Sequence, residues 1–306
     1  MRKARFILLL LCGLQTVFAQ QKYMAVTVDD LPFVGTYHPE KIKKATGLLL
    51  QTFRQYDVTA VGFVNEVYSK DTNNTALKTG LLEDWLKAGH ELGNHTWSHP
   101  AFNNITLEEY QEDVLRGDKI SRALSRKYDR PYRYFRHPYL QTGNDSLKKY
   151  GLEKFLQEND YTPVPVTMEA NDWYFSHAYI NAGRAGDTVL QNYIGREYIR
   201  YTLASVKYYE DLALEVAGKP VRQVFLIHAN ELNARYFSEI LSGLRSQGYR
   251  FLTVEEAMKD PVYAMPERVV VPGGFSWLHR WRITAGKKTA LKEPEIPEAV
   301  KKAYEK

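Results

Sequence analysis

Tyr23-Met24-Ala25-Val26-Thr27-Val28, followed at once by Asp29-Asp30-Leu31-Pro32, decides how this chain is read. A short apolar run rich in β-branched residues reads as a strand, and two carboxylates mark its end. Comparable runs recur at Thr59 to Val64, Tyr134 to Phe135, Tyr161 to Val166, Val224 to Ile227 and Arg250 to Thr253. Between them lie segments of helical period: Pro39 to Arg54, Thr75 to Ala88, Thr106 to Lys127, Asp187 to Ala217 and Asn233 to Gln247. Such alternation builds an α/β domain, a parallel sheet covered by helices and either open or closed into a barrel. No internal repeat or low-complexity linker divides it.

In parallel α/β folds, functional side chains gather where strands end. Asp29 and Asp30 follow the first run, Arg136 follows Tyr134-Phe135, and His228 follows Val224-Phe225-Leu226-Ile227. Residues far apart in sequence are thus expected on one rim. Neighbours on a strand face opposite ways, so Asp29 and Asp30 are expected to divide the work, one holding a metal and the other serving a water.

The stretch Gly89-His90-Glu91-Leu92-Gly93-Asn94-His95-Thr96-Trp97-Ser98-His99-Pro100 adds two imidazoles four residues apart. On a helical turn that spacing puts His95 and His99 on one face, where a carboxylate from Asp29-Asp30 would complete a three-ligand site. Three protein ligands with an open position are what catalytic zinc sites use. A base beside a Lewis acid suits amide or ester hydrolysis. His228 has the chemistry to protonate the leaving group, and Arg136 would keep the base ionised and oriented. Thr106-Leu107-Glu108-Glu109 predicts a capping box and a helix start just after the His pair.

Composition narrows the rest. The single cysteine, Cys12, lies inside a secretory signal: Met1-Arg2-Lys3-Ala4-Arg5 is basic, Phe6 to Leu14 apolar, and Val17-Phe18-Ala19 a cleavage site. Leu11 before Cys12 departs from a lipoprotein anchor. The expected division is a signal peptide over 1–19, a catalytic domain over 20–284 and a charged tail over 285–306, an extended strap or frayed end. The mature protein is then secreted or periplasmic, with no membrane span. Losing the signal takes the formal charge from +5 to +2, with no basic arm, so nucleic acid is not an expected partner. The 22 Tyr and 5 Trp suit either stacking on sugar rings or ordinary core.

In these motifs the chain resembles the polysaccharide deacetylase family, the NodB-homology domain of carbohydrate esterase family 4. Thr27-Val28-Asp29-Asp30-Leu31-Pro32, His95-Thr96-Trp97-Ser98-His99, Arg136-His137-Pro138-Tyr139, Asn171-Asp172-Trp173 and Leu226-Ile227-His228 match its five motifs in order, over about two hundred residues. The resemblance implies a distorted (β/α) barrel with fewer than eight strands. It implies Asp29 as general base, with Asp30, His95 and His99 holding the metal. Arg136 would position Asp29, Asp172 would tune His228, and His228 would be the general acid. The backbone at Tyr139 would stabilise the oxyanion, and Trp173 belongs with it on the substrate side.

The expected activity is removal of N-acetyl or O-acetyl groups from an acetylated glycan, with Zn2+ favoured and Co2+, Ni2+ or Fe2+ tolerated by the same donors. Two other classes compete: a carboxylate-pair glycosidase, which leaves the His pair unexplained, and a non-catalytic glycan-binding pseudoenzyme. Leu31 and Leu140 replace residues the family keeps small and are expected to narrow the groove, and Asn230 stands where many members carry Asp. The Asp187–Ala217 segment is expected to cover the barrel, with a substrate lid as its rival. Gly273 to Arg282 is expected to pack over the barrel, with Trp277 or Trp281 a weaker candidate for a sugar site.

Overall fold

The computed structural model describes residues 21–35, 38–67 and 75–306, so the signal-peptide reading over 1–19 lies outside the described residues. Its elements are β1 Lys22–Leu31, α1 Pro39–Gln55, β2 Val61–Val64, α2 Thr75–Lys87, β3 Glu91–Asn94, α3 Leu107–Arg116, α4 Lys119–Lys127, β4 Tyr134–Phe135 and α5 Ser146–Glu158. They continue with β5 Thr162–Pro163, α6 Asp172–Arg184, α7 Thr188–Ala217, β6 Gln223–His228, α8 Glu231–Ser246, β7 Tyr249–Leu252, α9 Val254–Ala257, α10 Trp277–Thr284 and α11 Glu298–Tyr304.

All seven described strands are parallel, in the order β5-β4-β3-β2-β1-β6, and β7 pairs the first half of β1. The ring closes irregularly. Beyond β5 the chain turns to meet β6, where Met168 bridges Phe225 and the N–H groups of Thr167 and Met168 donate to Val224 O at 3.0 and 3.2 Å. The result is a distorted barrel of fewer than eight strands, as expected.

Period-two alternation sorts each strand into an outer and an inner face. On β1, Met24, Val26 and Val28 pack in the large core beneath the helices, whereas Ala25 joins Val61, Phe63, Tyr134, Val164 and Val224 in a small core inside the barrel. Counting on in twos from these interior residues gives Asp29 from Ala25, Arg136 from Tyr134 and His228 from Val224. The same step that buries the valines therefore aims three polar groups along the barrel axis. At the end of β1 the register slips: Val28 pairs Gly62 but Leu31 pairs Val64, so β1 carries one extra residue, a bulge, around Asp29 and Asp30. Asp30 sits at φ 63.

Several expectations change. The Thr106–Lys127 helix is two helices, α3 and α4, parted at Gly117, although the Thr106/Glu109 capping box forms. A Cβ on Gly117 would lie 2.3 Å from the Thr96 carbonyl carbon, so the break lets the chain pass against the His95–His99 segment. Leu31 is fully buried in the large core and does not narrow the groove. The α7 helix buries Ile194, Tyr198, Tyr201, Val206, Leu212 and Val216, which makes it a covering helix. The stretch beyond residue 285 crosses the surface and ends in α11, where Val300 and Ala303 are buried and Tyr304 stacks on Tyr174 at 3.9 Å. No described helix is long and apolar enough to cross a membrane.

Gly117→Ala is expected to lower stability by about 1–3 kcal/mol through overpacking. A fall in the urea midpoint with an unchanged slope is the outcome to look for.

Candidate active site at the barrel mouth

The strand ends open into a cavity of about 620 Å³ whose lining includes Asp29, Asp30, His95, His99 and His228. Tyr139 and Trp173 stand half-exposed at its rim. Arg136 and Asp172 lie fully buried behind them. The structure thus brings together all nine residues singled out above.

His95 and His99 do not converge on a helical turn. They sit on a loop in which Thr96 and His99 both take left-handed φ values, 65 and 57. Asp113 on α3 holds that loop. Its carboxylate accepts from Trp97 N at 3.0 Å, Ser98 N at 2.9 Å and Ser98 Oγ at 2.9 Å. The rings end with centroids 4.8 Å apart.

One ligand atom from each of Asp30, His95 and His99 lies within 4.8 Å of the others. Asp30 Oδ1 is 3.5 Å from both His95 Nε2 and His99 Nε2. It is buried with no hydrogen-bond partner among the described residues. His95 Nδ1 faces Arg136 O at 2.8 Å and must donate to it, which leaves the Nε2 lone pair towards Asp30. Burial lowers the pKa of both imidazoles, so neither supplies a cation for the carboxylate. An orphaned carboxylate oxygen facing two imidazole nitrogens is a donor set that fits a divalent cation.

The remaining carboxylates are tuned in opposite directions. Burial pushes Asp29 up to about 6, although Arg136, with Nε 3.3 Å from Asp29 Oδ1, and His228 oppose the rise. Burial would also raise Asp172, yet His228 and the donors around it bring Asp172 below the usual range. Asp172 Oδ1 meets His228 Nδ1 at 2.7 Å, and Oδ2 accepts from His228 N at 2.7 Å and Asn233 Nδ2 at 2.5 Å. Burial disfavours the charged imidazole of His228, but Asp172 outweighs it, with help from Asp30 and Asp29, and takes His228 up to about 10.

Tyr139 and Leu140 lie in the left-handed region at φ 55 and 53, a conformation that costs an ordinary residue about 1–2 kcal/mol. The Tyr139 ring packs edgewise on His99 with centroids 4.5 Å apart. Leu140 lines the cavity, as expected of a narrowing residue.

Residues 18–155 match the model of the polysaccharide deacetylase family. That match spans a little under half of the chain. It is similar to a peptidoglycan-N-acetylglucosamine deacetylase of Bacillus cereus, 26% identical over 78% of this chain and 89% of that protein. It is also similar to the peptidoglycan-N-acetylglucosamine deacetylase PgdA of Listeria monocytogenes, 23% identical over 77% of this chain but only 38% of that longer protein. The crystal structure of a family-4 carbohydrate esterase pseudoenzyme from Bacillus anthracis shares the fold, with a TM-score of 0.53 and 14% identity over 78% of this chain and 66% of that one.

Two features of this site escaped the sequence reading, the place of Glu169 and the role of Asn230, whereas the expected packing of Gly273 to Arg282 over the barrel is observed. Glu169 faces the cavity, its carboxyl raised to about 7 by burial and then by Glu293. Its place three residues before Asp172 was the available signal. Asn230 and Asn233 both donate to Asp172, at 3.3 and 2.5 Å, so Asn230 supports the Asp172–His228 pair. Trp277 and Trp281 are buried in the large core, outside the cavity lining, which removes them as sugar-stacking candidates.

Asp113→Ala is expected to loosen the His95–His99 loop and weaken divalent-cation affinity about 10–100-fold, the usual cost of losing a group that orients ligands. Competition with a coloured chelator measures it.

Proposed function

We propose that this protein is an exported, divalent-metal-dependent deacetylase that removes N-acetyl, or alternatively O-acetyl, groups from a glycan. The observation that carries the reading is the unpartnered Asp30 Oδ1 between two imidazole nitrogens, beside a second carboxylate held near neutral pKa. Relatives named as peptidoglycan deacetylases support the glycan.

Asp30, His95 and His99 would hold the ion, with zinc favoured for its nitrogen and oxygen donors. The ion would supply Lewis acidity at the acetyl carbonyl and to the attacking water. Asp29, its pKa raised by burial to about 6, takes the proton from that water, and Arg136 fixes the direction of its carboxylate. The Tyr139 N–H stabilises the oxyanion that develops as the carbonyl carbon becomes tetrahedral. His228 enters the reaction protonated and gives its proton to the leaving nitrogen or oxygen, while Asp172 holds the imidazolium in place. Trp173 offers the sugar ring an apolar face at the rim. A carboxylate-pair glycosidase would leave both imidazoles idle.

Acetate release from acetylated chitooligosaccharides, peptidoglycan and xylan tests this reading. Turnover should vanish with a chelator and return with metal. Asp29→Asn should keep the metal and lose about 10²–10⁴-fold in kcat. An Asp29→Asn protein of normal activity would overturn the mechanism, and glycan binding without acetate release from a metal-replete protein would make the chain a pseudoenzyme.

The His228 shift gives a pH prediction with a definite sign. With Asp172 in place the imidazolium persists through neutrality and is lost as pH rises through about 10. In Asp172→Asn, burial acts without its main opponent, so the basic limb of the kcat/KM profile should move to lower pH by about 1–3 units.

A further inference from the structure

The Gly273–Arg282 segment does not stack on sugar, yet it contacts the active site at one place. Gly274 lines the cavity, and a Cβ on it would lie 1.6 Å from Tyr139 O. Only glycine lets the segment lie flat on that carbonyl. From α10, Arg280 reaches the same turn: Nη2 donates to Leu140 O at 2.9 Å and Nη1 to Thr142 Oγ1 at 3.0 Å. The turn's own bonds, Leu140 N to His137 O at 3.0 Å and Gln141 N to Pro138 O at 3.1 Å, span only neighbouring residues. They do not connect it to the rest of the molecule.

Arg280 is fully buried, and its counter-charge is Glu267, with Nη1 3.7 Å from Oε1. Glu267 also pairs with the buried Lys149, which has Glu153 Oε1 at 3.2 Å as a second partner, so Arg280 shares its carboxylate with another cation. Burying a guanidinium is costly, and a well-packed apolar side chain would stabilise the fold at least as well. What an apolar side chain could not do is grip the carbonyl of a residue in a left-handed conformation and the hydroxyl two positions on. The segment is itself anchored, through Trp277 N on Val166 O at 2.6 Å and Trp277 stacked on His137 with centroids 6.2 Å apart.

We propose that Arg280 and Gly274 are positioning residues for the Tyr139–Leu140 turn: the guanidinium fork fixes the turn from behind and the glycine backbone seats its carbonyl, which aims the Tyr139 N–H into the cavity. The proposal rests on the deacetylase reading for the use of that N–H, but the clamp itself can be read without turnover.

The experiment compares full-length wild type, Arg280→Met, Arg280→Lys and Gly274→Ala in acetate release, metal affinity and amide hydrogen exchange. Arg280→Met fills the volume and removes the fork. Its kcat should fall about 10²-fold, the cost of a misplaced catalytic group, while KM stays within about threefold and metal affinity is unchanged. Exchange at the hydrogen-bonded amides of Leu140 and Gln141 should quicken in the same protein. Arg280→Lys, which can reach one acceptor but not both, should fall between. Gly274→Ala should reproduce the kcat loss with Arg280 intact, and it carries the test if Arg280→Met does not fold. Unchanged kcat, or unchanged exchange at the turn, in a folded Arg280→Met overturns the proposal. So does a loss that appears mainly in KM or in metal affinity. A wild type that releases no acetate overturns the deacetylase reading instead, and the exchange comparison still decides the clamp.

Discussion

A single buried guanidinium ties the walls of the barrel together. Arg136 donates from Nη2 to Thr27 Oγ1 on β1 at 2.7 Å and from Nη1 to Val164 O beyond β5 at 3.0 Å, and its Nε faces Asp29. Its backbone N–H donates to Asn94 O on β3 at 2.9 Å, and its carbonyl accepts from His95. One residue thus connects the first strand, the His loop and the irregular closure of the ring. An uncompensated charge at this depth would cost several kcal/mol, on the order of the 3–5 seen when buried pairs are broken. The positions of Asp29 and His95 are therefore set by the need to satisfy Arg136 as much as by the strands that carry them.

The same arrangement separates carboxylates that are chemically alike. Asp29 has one cation at 3.3 Å and no hydrogen-bonding cradle, so burial prevails and its pKa rises. Asp172 is surrounded by donors from the end of β6 and the start of α8, and it stays ionised. Environment, not residue type, decides which acid is poised to take a proton and which holds a charge permanently. His228 responds to the second of these, and its imidazolium is a property of the pair.

Much of this was legible from local pattern. The alternation on Ala25, Thr27 and Asp29, and on Val224, Leu226 and His228, encodes strand, face and site together, because one period serves all three. The Thr106/Glu109 capping box was equally plain. What local pattern could not show depends on contacts between distant segments. Gly117 parts two helices because the Thr96 backbone lies against it, and Thr96 and His99 adopt left-handed angles because Asp113 is there to hold them. β3, Glu91–Asn94, has too few apolar residues to announce itself, and its pairing with β2 is what makes it a strand. Trp277 and Trp281 carry no signal that separates core from sugar platform, since an aromatic ring suits both.

The position of β1 in the sheet has a kinetic side. It is the first of the described strands, yet its partners include β6, with Met24 opposite Gln223, and β7, with Lys22 opposite Tyr249. Pairing across some two hundred residues raises contact order and slows the search for the native state. One edge of β1 stays without its neighbour until nearly the whole chain has been made. For a protein threaded through a membrane pore before it folds, that delay would be useful: the strand that organises the barrel cannot be completed while most of the chain is still on the near side.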